Sequence, residues 1–269
     1  MPEGHVVHRQ ARALSRAFRG EAVVVDSPQG RFAEGAAAVT GRDVRRVDAF
    51  GKHLFIGFAD DRWIHVHLGL FGKWRMGSGE APDVVGEVRL RLRTDTAFAE
   101  LRGPTVCEVL TGDEKKTAVR RIGPDPIRRD AVPAEAWARV SRSAAPVGGL
   151  LMDQRVFAGV GNIYRAEVLF RHGISPYRPG REVTRDEFDA MWADLVVLMR
   201  AGARKGRIDT VRDEHLPGAM GRAPREDRHG GEVYVYRRDG RECLHCGTTI
   251  QLADLQGRNL YWCPSCQPN

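Results

Sequence analysis

The chain lacks any hydrophobic run long enough to cross a membrane, because no stretch approaches the roughly 18 consecutive apolar residues of a spanning helix. Its first residues, MPEGHVVHRQ, become charged too early for a secretory signal peptide. Cysteine is scarce: there are five in 269 residues, and four of them form two Cys-x-x-Cys pairs. In a reducing compartment such pairs favour metal binding over disulfides. We therefore expect a cytoplasmic protein.

Internal repeats and low-complexity tracts are also missing from the sequence. Clustered carboxylates that would hold Mg²⁺ are missing too, which argues against a metal-dependent nuclease. Positive charge, by contrast, is in excess, with 42 Lys and Arg against 35 Asp and Glu and a net charge of +7. A basic balance points to a polyanionic partner, most simply nucleic acid. Charge alone does not distinguish such a protein from an enzyme that is merely basic.

The N-terminal half is predicted to combine one helix with β structure. Apolar residues at helical spacing indicate a helix over residues 4–19, which Gly20 ends. Residues 22–110 are predicted to be β structure punctuated by glycines. Within them, residues 88–93 alternate arginine with apolar residues, which places leucines on one face of a strand and arginines on the other.

The second half is predicted to be helical. Residues 120–126 break any regular element and are interpreted as a linker between two domains. Beyond them, Pro133 suits the first turn of a helix, and Thr184 with Glu187 forms a capping box at the start of another. The aromatic and apolar residues that follow Glu187 have the spacing of a packed helix, so we interpret them as core.

A glycine-rich turn precedes a further predicted helix, which runs from Asn162 to His172. Gly159 and Gly161 permit a close backbone approach there. The free N–H groups of the helix, together with the Asn162 side chain, suit a bound anion such as a DNA phosphate. On its own, this pattern is equally compatible with a plain helix-turn-helix core.

The last segment carries the two cysteine pairs, separated by sixteen residues. This spacing brings four thiolates around one tetrahedral Zn²⁺ and leaves no position open for water, so the metal is expected to be structural, one per chain. Its binding energy would fold a tail too small to fold alone. The predicted ligands are Cys243, Cys246, Cys263 and Cys266. Between the pairs, residues 256–259 are predicted to form a β-turn with Arg258 at its tip, where it can reach a phosphate.

In combination, four motifs resemble one family, the formamidopyrimidine-DNA glycosylase/endonuclease VIII family. The residues Met1-Pro2-Glu3-Gly4 resemble its catalytic N-terminus, and Gly51-Lys52-His53 its catalytic lysine loop. The run from Leu151 to Tyr164 resembles its helix-two-turn-helix, and the segment from Arg258 to Cys266 resembles its DNA-binding zinc finger. The resemblance spans essentially the whole chain, with the motifs in the same order.

The resemblance implies an α+β fold, with an N-terminal β-sandwich flanked by helices and a C-terminal helical helix-two-turn-helix domain plus a zinc finger. The expected boundaries are 1–118 for the catalytic sandwich, 119–131 for the linker, 132–230 for the helical domain and 231–269 for the finger. Residues 207–231 are expected to include the loop over a flipped base.

Within the family, the sequence is more similar to the endonuclease VIII branch. His67 to Gly72 resembles that branch's void-filling loop, which implies that Leu70 and Phe71 enter the duplex where a nucleotide has been flipped out. Gly69 departs from the pattern, since the bacterial archetype of the branch has glutamine there. Residues 101–105 lack the Arg-x-Phe wedge of the formamidopyrimidine branch.

The implied activity is that of a bifunctional DNA glycosylase/AP lyase of base excision repair, removing oxidised bases with pyrimidines favoured. Pro2 would be the nucleophile that forms a Schiff base, and Glu3 the acid/base at the sugar. Lys52 would donate a proton or steady a phosphate, and Arg258 would assist the second step of a β,δ-elimination. Arg121 and Asn162 would bind the DNA backbone.

The expected partner is damaged DNA, bound by a monomer that associates with the nucleoid through that binding. Two alternatives stay open on the residues alone. One is a zinc-ribbon DNA-binding protein without glycosylase activity, which covalent trapping at Pro2 would exclude. The other is a lyase that acts only on abasic sites, which a base-release assay would distinguish.

Overall fold

A computed structural model describes residues 2–227 and 231–268. The chain divides into two compact units, Met1–Arg121 and Ile122–Asn269, called unit 1 and unit 2 below. Residues 228–230, in the segment predicted to include a loop over the flipped base, lie outside the described residues. Among the residues described, none of the helices has the length and apolar character to cross a membrane.

Unit 1 is a mixed helix and sheet structure in which helices occupy both chain ends. Its elements are α1 (Gly4–Phe18), β1 (Ala22–Asp26), α2 (Ala33–Val39), β2 (Arg42–Phe50), β3 (His53–Phe58), β4 (Arg62–His67), β5 (Lys73–Ser78), β6 (Leu90–Arg93), β7 (Ala97–Arg102), β8 (Val106–Thr111) and α3 (Gly112–Arg120).

The strands of unit 1 form an antiparallel sheet, with the order β5-β7-β6-β1-β2-β3-β4-β8 in the described part of the chain. One half of this sheet is β5-β7-β6-β1 and the other is β2-β3-β4-β8. Both halves contribute to a single hydrophobic core, with Leu92 and Leu101 from the first half and Ile56 and Ile64 from the second. Burying apolar faces of both halves against each other is the defining feature of a sandwich. The predicted α+β class is therefore confirmed.

Helix α1 confirms the first predicted helix to within one residue. Val7, Ala11, Leu14 and Phe18 recur at intervals of three or four and are all buried in the core of unit 1. Gly20 stops the helix: its φ of +91° is in the left-handed region that favours glycine. Its N–H then donates to the Val44 carbonyl, which directs the chain into the sheet.

The prediction of β structure over residues 22–110 was wrong at α2. Its sequence, AEGAAAV, is rich in alanine, which has the highest intrinsic helix propensity. Ala36 and Val39, three residues apart, lie on one face and are buried in the core. Local propensity and helical spacing together therefore outweigh the glycine and β-branched residues that surround this segment.

The alternating segment 88–93 forms a strand only over β6, and its arginine face is not fully solvated. Leu90 and Leu92 are buried as predicted, but Arg91 is buried too. Its guanidinium donates to Oε1 of fully buried Glu100 at 3.1 and 2.6 Å. Burial alone would raise the pKa of Glu100, but hydrogen bonds from Arg102 and Arg91 outweigh burial and lower it.

Unit 2 is helical, with a two-stranded hairpin near its end. Its elements are α4 (Pro133–Val140), α5 (Val147–Leu150), α6 (Asn162–Arg171), α7 (Arg185–Lys205), α8 (Pro217–Met220), β9 (Gln251–Asp254) and β10 (Asn259–Trp262).

Two predicted helix starts in unit 2 are confirmed by their caps. Pro133 lies in the first turn of α4, where its missing N–H costs nothing. Thr184 and Glu187 form the predicted capping box at the start of α7, each accepting from the other's backbone N–H. Phe188 and Trp192 pack with Phe157 in the core, so these aromatic residues are structural, as predicted.

Candidate active site and metal centre

Pro2 and Glu3 stand immediately before helix α1 in unit 1. Glu3 is the N-cap residue, in an extended conformation, and only 2% of it is exposed. Its carbonyl accepts from the Val6 N–H at 3.0 Å, but its side chain does not cap the helix. The carboxyl group is thus buried next to the chain terminus, at a helix end whose free N–H groups favour negative charge.

Lys52 is in the two-residue turn between β2 and β3. Helix α1 packs against both of these strands. Phe50 and His53 are paired across this turn, and Gly51 has a φ of +56°, as the first central residue of a tight hairpin turn requires. Although lysine rarely lies inside a protein, Lys52 is buried. Its positive charge contributes to lowering the pKa of both His53 and His67, after burial as the main cause.

The 68–72 loop follows β4 and carries two of the most exposed apolar side chains in the described residues. Leu70 is 62% exposed and Phe71 is 84% exposed. Exposing large apolar side chains costs solvation free energy, so adjacent exposed residues of this kind mark an interaction surface. A pair of residues that enters a DNA duplex must be exposed in this way.

The backbone of the same loop is shaped around two glycines. Gly69 has a φ of +64°, and a Cβ on it would come within 1.8 Å of Thr105 Oγ1. A Cβ on Gly72 would meet the Leu68 backbone at 2.2 Å. Thr105 therefore fills the space that a side chain at position 69 would need, which gives a steric reason for the departure from the glutamine of the endonuclease VIII archetype.

Arg121 lies at the C-cap of α3 and is exposed. The helix is attached to the sheet by Lys115, whose Nζ is 3.4 Å from the Trp63 ring centroid and 2.9 Å from Asp48 Oδ2. A cation over an aromatic face and beside a carboxylate is favourable on both counts. Arg121 thus extends from an element that is firmly attached to unit 1.

In unit 2, the glycine-rich turn before α6 is held by the side chain of Gln154. Its Oε1 accepts from the Gly159 N–H at 3.0 Å, and its Nε2 donates to the Val160 carbonyl at 2.9 Å. Gly159 has a φ of +85°. The helix then begins at Asn162, after the N-cap Gly161, as predicted. Sequence reasoning did not identify Gln154, because a polar residue near glycines resembles any loop residue.

The side chain of Asn162 reaches the zinc-finger hairpin. Its Nδ2 donates to the Asn259 carbonyl at 2.9 Å, and the guanidinium of Arg165 donates to the same carbonyl at 2.7 Å. Arg165 also hydrogen-bonds Asn162 Oδ1. The residue after Arg258 is therefore fixed to the start of α6, which places Arg258 and the N-terminus of α6 next to each other within unit 2.

The predicted β-turn at residues 256–259 is off by one residue. The turn spans Leu255 to Arg258, with paired backbone bonds of 3.0 and 3.3 Å between those two residues. Gln256 and Gly257, at φ values of +56° and +73°, are its central residues, as in a type I′ hairpin turn. Arg258 is thus at the base of the turn rather than its tip, and it is exposed.

A second buried charge in α6, Glu167, was not singled out from the sequence. Its two carboxylate oxygens accept the N–H groups of Tyr234, Val235 and Tyr236 at 2.7–2.9 Å, and the Thr210 hydroxyl as well. Residues 234–236 lead directly into the cysteine-bearing segment. The signal in the sequence was an arginine and a glutamate within the otherwise apolar run IYRAEVLF.

The four predicted zinc ligands converge in unit 2. All four Sγ atoms lie within 4.8 Å of one another. The Sγ atoms of Cys243 and Cys266 are 3.9 Å apart, and those of Cys246 and Cys263 are 3.5 Å apart. Tetrahedral zinc with Zn–S bonds of about 2.3 Å requires sulfur separations of about 3.8 Å. The donor set and its spacing therefore fit zinc, which would stabilise the finger without taking part in chemistry.

Three family profiles match the chain over most of its length. The formamidopyrimidine-DNA glycosylase N-terminal domain matches residues 1–107, and the formamidopyrimidine-DNA glycosylase H2TH domain matches residues 122–213. The zinc finger found in formamidopyrimidine-DNA glycosylase and isoleucyl-tRNA synthetase matches residues 240–269. These matches, with the four-cysteine site, define a zinc-finger DNA repair enzyme that is both a DNA glycosylase and an AP lyase.

The chain belongs to the formamidopyrimidine-DNA glycosylase/endonuclease VIII family. It is 51% identical to endonuclease 8 1 of Mycobacterium tuberculosis, covering 99% of this chain and 100% of that protein. It is 29% identical to endonuclease 8 of Pectobacterium carotovorum, with the same coverage. The predicted nearness to the endonuclease VIII branch is thus confirmed.

Solved structures confirm the fold. The formamidopyrimidine-DNA glycosylase of Lactococcus lactis, bound to DNA that contains an AP site, matches with a TM-score of 0.80 at 22% identity, covering 99% of this chain and 100% of that one. The same enzyme in complex with N7-benzyl-Fapy-dG DNA also has a TM-score of 0.80 at 22% identity, with full coverage of both chains.

Proposed function

We propose that this enzyme excises oxidised pyrimidines from damaged DNA through a covalent imine at Pro2, and cuts the strand by β,δ-elimination. The observation that carries the mechanism is the juxtaposition at the start of α1, where Pro2 is followed by the buried carboxyl group of Glu3. Oxidised pyrimidines are favoured because the relatives are named endonuclease 8, and because Leu70 and Phe71 are exposed in the loop that resembles that branch.

Removal of Met1 makes Pro2 a terminal secondary amine. A terminal amine titrates near 7.7–8.0 and a lysine near 10.4, so Pro2 has the larger unprotonated fraction at neutral pH. Its nitrogen attacks C1′ as the C1′–base bond breaks, and the base leaves with the electron pair and takes up the proton that the attacking amine loses. Opening of the C1′–O4′ bond, with a proton passed to O4′ by Glu3, gives a cationic iminium.

The iminium then acts as the electron sink for strand cleavage. Loss of a proton from C2′ expels the 3′ phosphate, and a second elimination expels the 5′ phosphate. We propose that Lys52 supplies a proton or steadies a phosphate during these steps, and that Arg258 binds the phosphate of the second elimination. Each expulsion is favoured by a cation beside the departing phosphate.

The remaining predicted residues would bind and distort the duplex. Leu70 and Phe71 would fill the space left by the flipped nucleotide, offsetting the cost of unstacking with apolar contact. Arg121 would contact a backbone phosphate, and Asn162 would do so beside Arg258. We also propose one zinc per chain, a monomer, and domain boundaries near 1–118, 119–131, 132–230 and 231–269.

Borohydride trapping on an abasic-site duplex tests the nucleophile. The processed protein is expected to form a stable crosslink whose modified peptide begins at Pro2. The matched control is protein that retains Met1, in which the Pro2 nitrogen is an amide without a basic lone pair, and no crosslink is expected. Equal crosslinking of both forms, or a crosslink that maps to Lys52, would contradict the assignment.

Side-by-side turnover tests the substrate class. Duplexes that carry thymine glycol are expected to be processed faster than duplexes with 8-oxoguanine opposite cytosine. A faster rate on 8-oxoguanine would overturn the preference for pyrimidines. Release of free base from the lesion duplexes distinguishes a glycosylase from a lyase that acts only on abasic sites.

A further inference from the structure

One face of the sheet in unit 1 carries three histidines and a glutamate in a single cluster. His53 of β3 lies directly opposite His67 of β4, and His65 of β4 lies directly opposite Glu108 of β8. Alternate residues of a strand point to the same face, so His65 and His67 share it with their partners. The apolar residues between them, such as Val66, point into the core instead.

Two of these histidines and the glutamate are joined by hydrogen bonds. The Nδ1 of His53 is 2.9 Å from Nε2 of His65, and the Nδ1 of His65 is 2.8 Å from Oε1 of Glu108. The Phe55 ring stacks on His65 at 4.6 Å and nearly parallel, which fixes the plane of that imidazole. Glu108, His65 and His53 therefore form a chain across three strands.

The carboxylate at one end determines where every proton in this chain resides. A glutamate carboxylate only accepts hydrogen bonds, so Nδ1 of His65 must carry a proton. A neutral imidazole has one donor and one acceptor, so Nε2 of His65 accepts, and Nδ1 of His53 must be the donor to it. The remaining nitrogen of His53, Nε2, is left with a lone pair.

The inner end of the chain, His53, directly follows Lys52 in the sequence. Lys52 is buried, and its charge acts on both His53 and His67. Burial, together with His67, His65 and Lys52, lowers the pKa of His53 to about 3. His53 therefore remains neutral at physiological pH. A neutral ring does not relay protons as an imidazolium would, but its Nε2 can serve as a fixed hydrogen-bond acceptor.

The outer end of the chain is accessible to solvent. The Glu108 side chain is half exposed and lines a cavity of about 570 Å³ together with Arg31, Glu34 and Arg62. Solvation at this end spares the Glu108 carboxylate the full cost of burial. The arrangement resembles the orientation of a catalytic imidazole by a carboxylate, in which the partner fixes the tautomer.

We propose that Glu108 and His65 lock His53 in its Nδ1–H tautomer, and that the Nε2 lone pair so created orients the ammonium group of Lys52 for its step in the reaction. His53, His65 and Glu108 are then positioning residues that act through Lys52. The kinetic consequence of this inference rests on the proposed role of Lys52. The tautomers of His53 and His65 do not depend on that role.

Nitrogen-15 NMR of the histidine rings in the whole protein tests the tautomers directly. Wild-type His53 and His65 are expected to carry the proton on Nδ1 at neutral pH, with His53 still neutral well below pH 6. Glu108→Lys replaces the acceptor with a group that only donates, so both tautomers are expected to reverse. A wild-type His53 protonated on Nε2 overturns the proposal.

Single-turnover cleavage of an abasic-site duplex tests the consequence. Glu108→Lys is expected to slow cleavage by about tenfold to a hundredfold, as the loss of a partner that orients a metal ligand does. The matched control is Glu34→Lys, which makes the same charge change on the same cavity but is on α2, and its rate is expected to match wild type. Reversed tautomers with equal rates in the two variants overturn the positioning role.

The two proposals fail in distinguishable ways. If wild-type protein gives no crosslink at Pro2, the proposed mechanism fails, whereas the NMR result on His53 and His65 stands. If the crosslink forms at Pro2 but Glu108→Lys leaves both the tautomers and the cleavage rate unchanged, the inference fails and the mechanism stands. Thermal melting of both lysine variants identifies any loss of folding.

Discussion

At Gly69, a backbone conformation that disfavours side chains coincides with close packing against Thr105. Gly69→Ala is expected to destabilise unit 1, because φ of +64° disfavours a side chain and the new Cβ would press on Thr105. The strain alone costs about 1 kcal/mol or more. Gly79→Ala is the matched control, with φ of +79° and nothing within 4 Å of its Cβ, so it carries strain without the clash.

Urea denaturation is the measurement for this pair of glycines. Gly69→Ala is expected to lose more free energy of unfolding than Gly79→Ala, and adding Thr105→Ala is expected to remove most of the difference. Equal losses in the two single variants would show that Thr105 moves aside at no cost. The Thr105 contact would then be no reason for glycine at position 69.

A single carboxylate links acid sensitivity to the packing of two helices in unit 2. Asp194 of α7 accepts from Arg171 at 2.6 and 2.9 Å and is 3.2 Å from Nε2 of His172, at the end of α6. Burial would raise the pKa of Asp194, but hydrogen bonds from His172 and Arg171 outweigh it and lower the pKa to about 2. The ionised form is therefore favoured by folding.

Because the folded pKa lies below the ordinary value of 3.8, Asp194 contributes its stability above pH 3.8 and loses it as pH falls through about 2. Asp194→Asn is expected to cost on the order of 2 kcal/mol at neutral pH, a difference that shrinks below pH 3.8. Asp189→Asn, which breaks the exposed pair with Arg185 on the same helix, is the control and is expected to cost little. Urea unfolding across pH measures both, and a pH-independent difference would contradict the assignment.

At the scale of elements, α6 connects the glycine-rich turn to the zinc finger through two buried charges. Arg165 holds the β9–β10 hairpin at Asn259, and Glu167 holds residues 234–236. A helix that carries both charges inward fixes where Arg258 lies relative to Asn162. The position of these proposed DNA contacts is thus determined by hydrogen bonds to the backbone, which other side chains cannot easily replace.

Glu167→Gln tests this connection. The amide replaces one acceptor oxygen with a donor that faces backbone N–H groups, so at least one buried donor is left without an acceptor. The expected loss is about 2 kcal/mol or more of unfolding free energy in unit 2. Glu182→Gln, at an exposed position of the same unit, is the control. If chemical denaturation gives equal stability for the two variants, Glu167 does not hold the segment.

The elements differ in how much of them the sequence could predict. Helix α1 and the capping box of α7 were predictable because periodicity and caps are local signals. Helix α2 was missed, since alanine propensity competed with a glycine-rich context. Arg165 and Glu167 were not recognised because their partners, Asn259 and residues 234–236, are more than sixty residues away along the chain. The histidine chain likewise became visible only through strand register.

The zinc site is the clearest case of a local pattern that predicted a tertiary arrangement. Cys263→Ser is expected to release the metal and unfold the finger, because the ligands supply the binding energy that folds it. Elemental analysis should give one zinc per wild-type chain and a reduced content in the variant. Cys107→Ser is the control, because Cys107 is in β8 of unit 1, and it is expected to retain zinc. Active wild-type protein without metal would contradict the prediction.

For the whole molecule, the net charge of +7 is expected to appear as a salt-dependent affinity for DNA. Each phosphate neutralised contributes about −0.9 to the slope of log affinity against log salt. Arg121→Ala and Arg258→Ala should each make the slope shallower by about that amount, since both arginines are exposed and each is proposed to contact one phosphate. Asn162→Ala removes an uncharged amide, so it should weaken binding while the slope stays unchanged. Titrations of a fluorescent abasic-site duplex at several salt concentrations measure both quantities, and an arginine variant with the wild-type slope would show that its guanidinium makes no phosphate contact.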